Sequence, residues 1–165
     1  MSNLTTSIAT IGAAVADPQR GKPVFRAHGT AGPGLRAEIR IGGHTMVADE
    51  GPALGGAQAG PNPVEYALAA LLSCQVITYR VWAAKLGVPL DGITVDVEGD
   101  LDVRGFLGFD DAVRPGFGDV RVRVTLDGPA DPQRYRDLAA AVDAHCPVLD
   151  LFRNATPVTT EVVTS

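Results

Sequence analysis

The stretch NPVEYALAALLSCQVITYRVWAAKLG, residues 62–87, carries a start signal, a stop signal and almost no charge between them. Asn62 suits the N-cap, Pro63 the first helical position and Glu65 the third, a capping-box-like opening. Gly87 supplies the stop, with Pro89 beyond it. The spacing predicts a helix of about 24 residues, roughly 36 Å at 1.5 Å per residue. Apolar side chains fall on every side of it, so the helix is expected to be central and covered on both faces. Its longest apolar run, Tyr66 to Tyr79, is broken by Ser73 and Gln75 and ends at Arg80, which reads as too short and too polar to cross a bilayer.

The rest of the chain alternates differently. Leu35, Ala37, Ile39 and Ile41 interleave with Arg36, Glu38 and Arg40, the period of a half-buried strand. Gly42-Gly43 then separates it from HTMVAD, a two-residue hairpin signal. VFRAHGTA, ITVDVEGDLDV, DVRVRVTLD and TPVTTEVV also read as strands, and residues 50–63 as a Gly/Pro-rich loop. A glycine-punctuated connection carries Phe106, Phe109 and Phe117, either as a lid or as pins to the core. A second helix opens at Asp131-Pro132, runs its apolar stripe through Tyr135, Leu138, Val142 and Cys146, and is expected to end at Pro147. The element order means an α+β fold, with residues 1–23 a loosely ordered lead and 24–165 one domain.

The two cysteines decide the chemistry. Cys74 has Ala70, Leu71, Ile77 and Thr78 as helical neighbours, and apolar burial of a thiol suppresses its ionisation unless a cation lies close. Inert packing, a redox pair and a metal site are all open on spacing alone. The 146 − 74 = 72 positions separating the cysteines, with His28 and His44 isolated and His145 directly beside Cys146, make a poor metal-ligand pattern. No metal or cofactor is expected. A Cys/His nucleophile using His145 lacks any local signature.

Composition narrows the partners. A net charge of −5 and a pI near 5.0 argue against nucleic acid or an anionic membrane. MSNLTTSIATIGAAVADPQRG has no basic start and is broken by Asp17-Pro18, unlike a secretory leader. A cytoplasmic location is expected, where a transient disulfide would mean chemistry.

GPNPVEYALAALLSCQVITYR resembles the Asn-Pro helix and first cysteine of the OsmC/Ohr superfamily, the osmotically inducible and organic-hydroperoxide-resistance proteins. HCPVLD is similar to that family's second-cysteine motif, and GDLDVRGFLGFDDAVRPGF to the connection of its general OsmC-like branch. The resemblance implies an intertwined homodimer with antiparallel sheets packed on a central cysteine-bearing helix. It also implies a metal-free peroxidase. Cys74 would be the peroxidatic thiolate and Cys146 its resolving partner, with an organic hydroperoxide as substrate and an external dithiol, lipoyl-type among the candidates, as reductant. The other reading is a non-enzymatic relative that binds a small hydrophobic ligand or senses oxidants.

The family's arginine and glutamate are carried over to Arg36 and Glu65. Arg40 and Arg26 are substitutes for the former, and a solvated strand face is the competing role of each arginine. Val64 stands where the Ohr pattern has its acid. Glu65 lies nine positions before Cys74, half a turn out of phase, so a helix cap competes with a catalytic role.

Overall fold

The computed structural model describes residues 2–164. They form two compact units interleaved in sequence, one of residues 2–70 with 97–122, the other of residues 71–96 with 123–164. Helix α2 (Pro63–Leu86) and strands β4 (Gly92–Asp100) and β5 (Asp119–Asp127) each contribute residues to both.

In the first unit, β1 (Ala27–Ala31), β2 (Ala37–Ile41) and β3 (His44–Ala48) pair antiparallel in chain order. Ile39 faces Gly29 on one side and Met46 on the other. The β2–β3 turn is the expected Gly42-Gly43 pair, with φ of 56° and 82°. Two consecutive positive φ values define the mirror-image turn whose twist matches the strands, and glycine adopts them without a Cβ clash. After a single 3₁₀ turn (Pro52–Leu54), the chain returns toward β3. Asp49 holds this 50–60 loop, its carboxylate accepting from the N–H groups of Glu50, Ala57 and Ala59 at 2.9–3.1 Å.

The 24-residue α2 starts and stops as its sequence predicts. At its end Gly87 is left-handed, and Val88 N–H reaches back to Ala83 O at 2.9 Å, the Schellman pattern. Within one chain, however, only a stripe of α2 is buried: Leu71, Gln75, Thr78, Tyr79 and Ala83. Ala69, Ser73, Ile77 and Arg80 lie exposed on another face. Cover on both sides is therefore not met by this chain's own elements, which are too few to surround a 24-residue rod. The bilayer expectation also needs correcting. By length and composition α2 is long and apolar enough to cross a membrane, a test that the core helix of a soluble protein meets as well.

β4 and β5 pair antiparallel, bounded by Asp91 N–H to Asp127 O and Gly118 N–H to Asp100 O, both 2.8 Å. Between them, α3 (Val103–Phe106) is a single turn capped by Asp102. Phe117 packs flat against Gly99 of β4 and pins the connection, while Phe106 and Phe109 stay exposed.

Three differences from the sequence reading stand out. The lead segment carries a helix, α1 (Ser2–Ala14), largely exposed beyond its third residue. Pro147 ends α4 (Pro132–His145) but also opens another helix, α5 (Pro147–Arg153), because proline is favoured at a first helical position. TPVTTEVV forms no strand: it has the alternation but pairs with no neighbour, and a strand exists only as part of a ladder.

Candidate functional site

The second unit brings the two cysteines together. α4 is anchored at its start by Asp131, whose side chain accepts from Gln133 N–H, and by Pro132. Arg134 then donates to Gly87 O at 2.8 Å, capping the free carbonyls at the end of α2. Tyr135 O–H donates to Pro89 O at 2.9 Å one residue further. These clamps set α4 along α2 in an antiparallel seam, and Leu138 and Val142 of α4 are fully buried. At the far end of the seam, the Cys146 thiol donates to Cys74 Sγ across 3.5 Å.

The two sulfurs are not equivalent. Cys146 is 2% exposed and Cys74 half-buried. Cys146 closes α4 and opens α5, so its backbone is bonded on both sides: its N–H to Val142 O, its C=O from Asp150 N–H. Burial pushes the Cys146 thiol above its ordinary value, and the neighbouring Cys74 adds to this. Both cysteines are unbridged, in van der Waals range. A covalent S–S bond of about 2.05 Å requires only that the side chains close the remaining gap.

Next to the pair, the His145 ring stacks on Trp82 with centroids 4.2 Å apart, and Lys85 Nζ lies 3.8 Å from the Trp82 ring centroid. The His145 Nδ1 is 2.7 Å from Ala141 O, so His145 is engaged in the helix end. Thr78 Oγ1 sits 3.9 Å from Cys74 Sγ, a neighbour that sequence reasoning named only as helical spacing.

Arg36 and Glu65 both belong to the first unit. Arg36 pairs with Glu38 at 3.1 Å, and its buried Nε has no hydrogen-bond partner among the described residues. Its charge, after the backbone hydrogen bonds led by Ala59, helps to hold the Asp49 carboxyl below its ordinary value. Glu65 accepts from Asn62 N–H at 2.8 Å while its own N–H donates to Asn62 Oδ1 at 2.9 Å, a complete capping box. Arg26 and Arg40 are exposed. The first unit also holds a cavity of about 360 Å³, with Leu35, Leu54, Phe106 and Leu107 on its wall together with Asp49 and Glu50. No cluster of three metal-ligating side chains occurs among the described residues.

The fold has many solved counterparts. An OsmC-like protein from Mycoplasma pneumoniae superposes with a TM-score of 0.68 at 12% identity, over 80% of this chain and 89% of that one. An organic hydroperoxide resistance protein OsmC from Legionella pneumophila gives 0.61 at 19% identity, over 79% and 90%. An organic hydroperoxide resistance protein from Elizabethkingia anophelis gives 0.62 at 17%, over 80% and 89%. No curated protein matches the chain. The family model described as OsmC-like protein matches residues 55–161, which takes in α2 with Cys74 and the α4–α5 junction with Cys146 and leaves Arg36 outside. A match over that much of the chain, spanning both thiols, shows that this chain belongs to the OsmC-like protein family.

Proposed function

We propose that this chain is a thiol-dependent peroxidase that reduces organic hydroperoxides to alcohols. The observation that carries the reading is the 3.5 Å approach of two sulfurs 72 residues apart in sequence. Family membership and relatives named for organic hydroperoxide resistance support a redox role.

In the proposed cycle, the Cys74 thiolate attacks the terminal peroxide oxygen. The O–O bond breaks, the alkoxide takes up a proton and leaves as alcohol, and Cys74 is left as a sulfenic acid. The Cys146 sulfur then displaces that oxygen as water and closes a Cys74–Cys146 disulfide. An external dithiol, lipoyl-type among the candidates, attacks the disulfide and leaves as its own cyclic disulfide, restoring both thiols. Half-buried Cys74 is the sulfur that substrate and reductant can reach. The apolar side chains around it favour a hydrocarbon tail by roughly 0.8 kcal/mol per buried CH₂, a gain hydrogen peroxide lacks.

Of the two carried-over activators, Arg36 is the stronger, because its Nε–H is still unused, whereas Glu65 already serves the cap. We place residues 24–165 in one functional domain, since α2, β4 and β5 run through both units. The exposed face of α2 supports a homodimer. A reducing cytoplasm suits a disulfide that forms only in turnover.

The test is a thiol count after addition of cumene hydroperoxide to reduced protein. Loss of both thiols in wild type, with a trappable sulfenic acid in Cys146→Ser, supports the cycle. Full retention of both thiols at micromolar peroxide rejects it. The engaged carboxylate of Glu65 favours the second reading, a relative that binds a small hydrophobic ligand or senses oxidants without turnover. Oxidation without catalytic consumption of peroxide would select that reading.

A further inference from the structure

Thr78 lies one helical turn beyond Cys74 on α2 and is buried. Its Oγ1 is 3.9 Å from Cys74 Sγ, and the same hydroxyl lies against the Cys146 side chain, where it favours the anion. With the Cys146 thiol donating to Cys74 Sγ, one hydroxyl and two sulfurs close a triangle within the second unit.

The resolving step of the cycle proposed above has a proton problem that this triangle addresses. Cys146 must lose the proton that its burial retains, and the oxygen leaving Cys74 must gain one. At 2% exposure Cys146 has almost no contact with solvent to take that proton. We propose that Thr78 relays it: Thr78 Oγ accepts the Cys146 thiol proton while its own hydroxyl proton passes to the oxygen departing from Cys74. The Cys146 electron pair forms the S–S bond and the S–O bond breaks. Water leaves, Thr78 ends as it began, and no outside acid or base is consumed. The Cys74 sulfur is reduced and the Cys146 sulfur oxidised by the same amount. This inference rests on the peroxidase reading.

Two variants and two reactions test it. Thr78→Val keeps the shape and removes the hydroxyl, whereas Thr78→Ser keeps the hydroxyl. Sulfenic acid lifetime is read by trapping with dimedone at timed intervals after cumene hydroperoxide. The second reaction uses 5,5′-dithiobis(2-nitrobenzoate), in which Cys146 resolves a mixed disulfide on Cys74. Its thionitrobenzoate leaves as a stable anion and needs no proton. Thr78→Val should lengthen the sulfenic acid lifetime about 10- to 100-fold, within the usual range of proton-transfer assistance, and Thr78→Ser should restore it. The second thionitrobenzoate release still requires Cys146 to lose its proton but none to be delivered, so Thr78→Val should slow it less than the sulfenic acid step and Thr78→Ser should leave it near the wild-type rate. Equal slowing of the two reactions by Thr78→Val would mean that Thr78 only positions the sulfurs, and overturns the relay. Slowing in Thr78→Ser equal to that in Thr78→Val, or no slowing in Thr78→Val, overturns it as well. A wild-type protein that releases two thionitrobenzoates yet yields no sulfenic acid with peroxide removes the peroxidase reading, and the relay with it.

Discussion

Asn62 and Glu65 hold each other across the start of α2, each side chain accepting the other's backbone N–H at 2.9 and 2.8 Å. Pro63 has no N–H, so the helix start carries three free N–H groups, and two of them are satisfied this way. Replacing Asn62 by Ala should therefore cost about 1 kcal/mol. For a chain this size that is a fall in melting temperature of roughly 2–4 °C by differential scanning calorimetry. Glu65→Gln retains a carbonyl that can accept from Asn62 N–H, so its melting temperature should stay near wild type. Its peroxide rate should stay there too if the cap is what Glu65 contributes, and a large loss of rate without loss of stability would assign it to the chemistry.

In the proposed cycle Arg36 is the candidate activator of the Cys74 thiolate. Arg36→Met should slow oxidation of Cys74 by cumene hydroperoxide about 100-fold, the usual loss on removing one preorganised charge donor. Arg36→Lys should recover only part of it, because an ammonium lacks the guanidinium's fixed fork of donors. Stopped-flow tryptophan fluorescence is a suitable readout, since Trp82 stacks on His145, the residue preceding Cys146. An unchanged rate in Arg36→Met would move the role to Arg40 or Arg26.

What the sequence reveals here depends on how local the signal is. The α2 start and stop, the Gly42-Gly43 turn and the Asp131-Pro132 opening are each written in four or fewer adjacent residues, and each is found where its chemistry puts it. Cys74 and Cys146 are legible as a pair only through their motifs, because their meeting depends on Arg134 and Tyr135 reaching the end of α2, some twelve residues away from either sulfur. TPVTTEVV reads as a strand because alternation marks the capacity to pair, while pairing needs a free edge that no periodicity specifies. Asp49 was invisible for a related reason. Its three N–H partners lie one, eight and ten residues on, in a loop whose path the sequence leaves open.

Asp49 gives an acid-side prediction. The N–H bonds from Ala59, Glu50 and Ala57 lower its value overall, with burial opposing them. A carboxyl lowered in the folded state adds stability that is complete above its unfolded value of about 3.9 and is lost as pH falls through the folded one. Asp49→Asn should unfold at a higher pH than wild type in an acid titration followed by circular dichroism. It should also open residues 50–60 to limited proteolysis at neutral pH, since an amide oxygen cannot accept all three bonds as a carboxylate does. Coincident acid transitions would show that the loop is held by something else.

Cys146 gives the alkaline counterpart. Its thiol is raised by burial, so the folded state favours the neutral form. The associated stability is complete below the unfolded thiol's value, about 8.5, and is lost as pH rises through the raised folded value. Urea midpoints of fully reduced protein should fall from about pH 8.5 upward, and Cys146→Ala should flatten that fall. Tyr79, also raised by burial and by the charge of Asp143, pushes in the same direction and remains in both proteins. The difference between them isolates the thiol.

The exposed face of α2 makes the assembly testable without touching the sulfurs. Ile77 is 62% exposed on the helix that carries Cys74, and Ala69 and Ser73 flank it on the same side at helical spacing. A branched apolar side chain left in water there forgoes a burial worth about 1.5–3 kcal/mol, and a second copy can supply the cover. Ile77→Asp puts a charge into that contact. If the face is the dimer interface, the variant should run as a monomer by multi-angle light scattering at concentrations where wild type is a dimer. A charge on a surface that faces only water leaves the mass unchanged. The variant should also keep its two thiols within reach of each other, because the clamps that align α2 and α4 lie within one chain. Loss of hydroperoxide reduction in a monomer that still forms its disulfide with 5,5′-dithiobis(2-nitrobenzoate) would then place part of the activating machinery on the partner subunit.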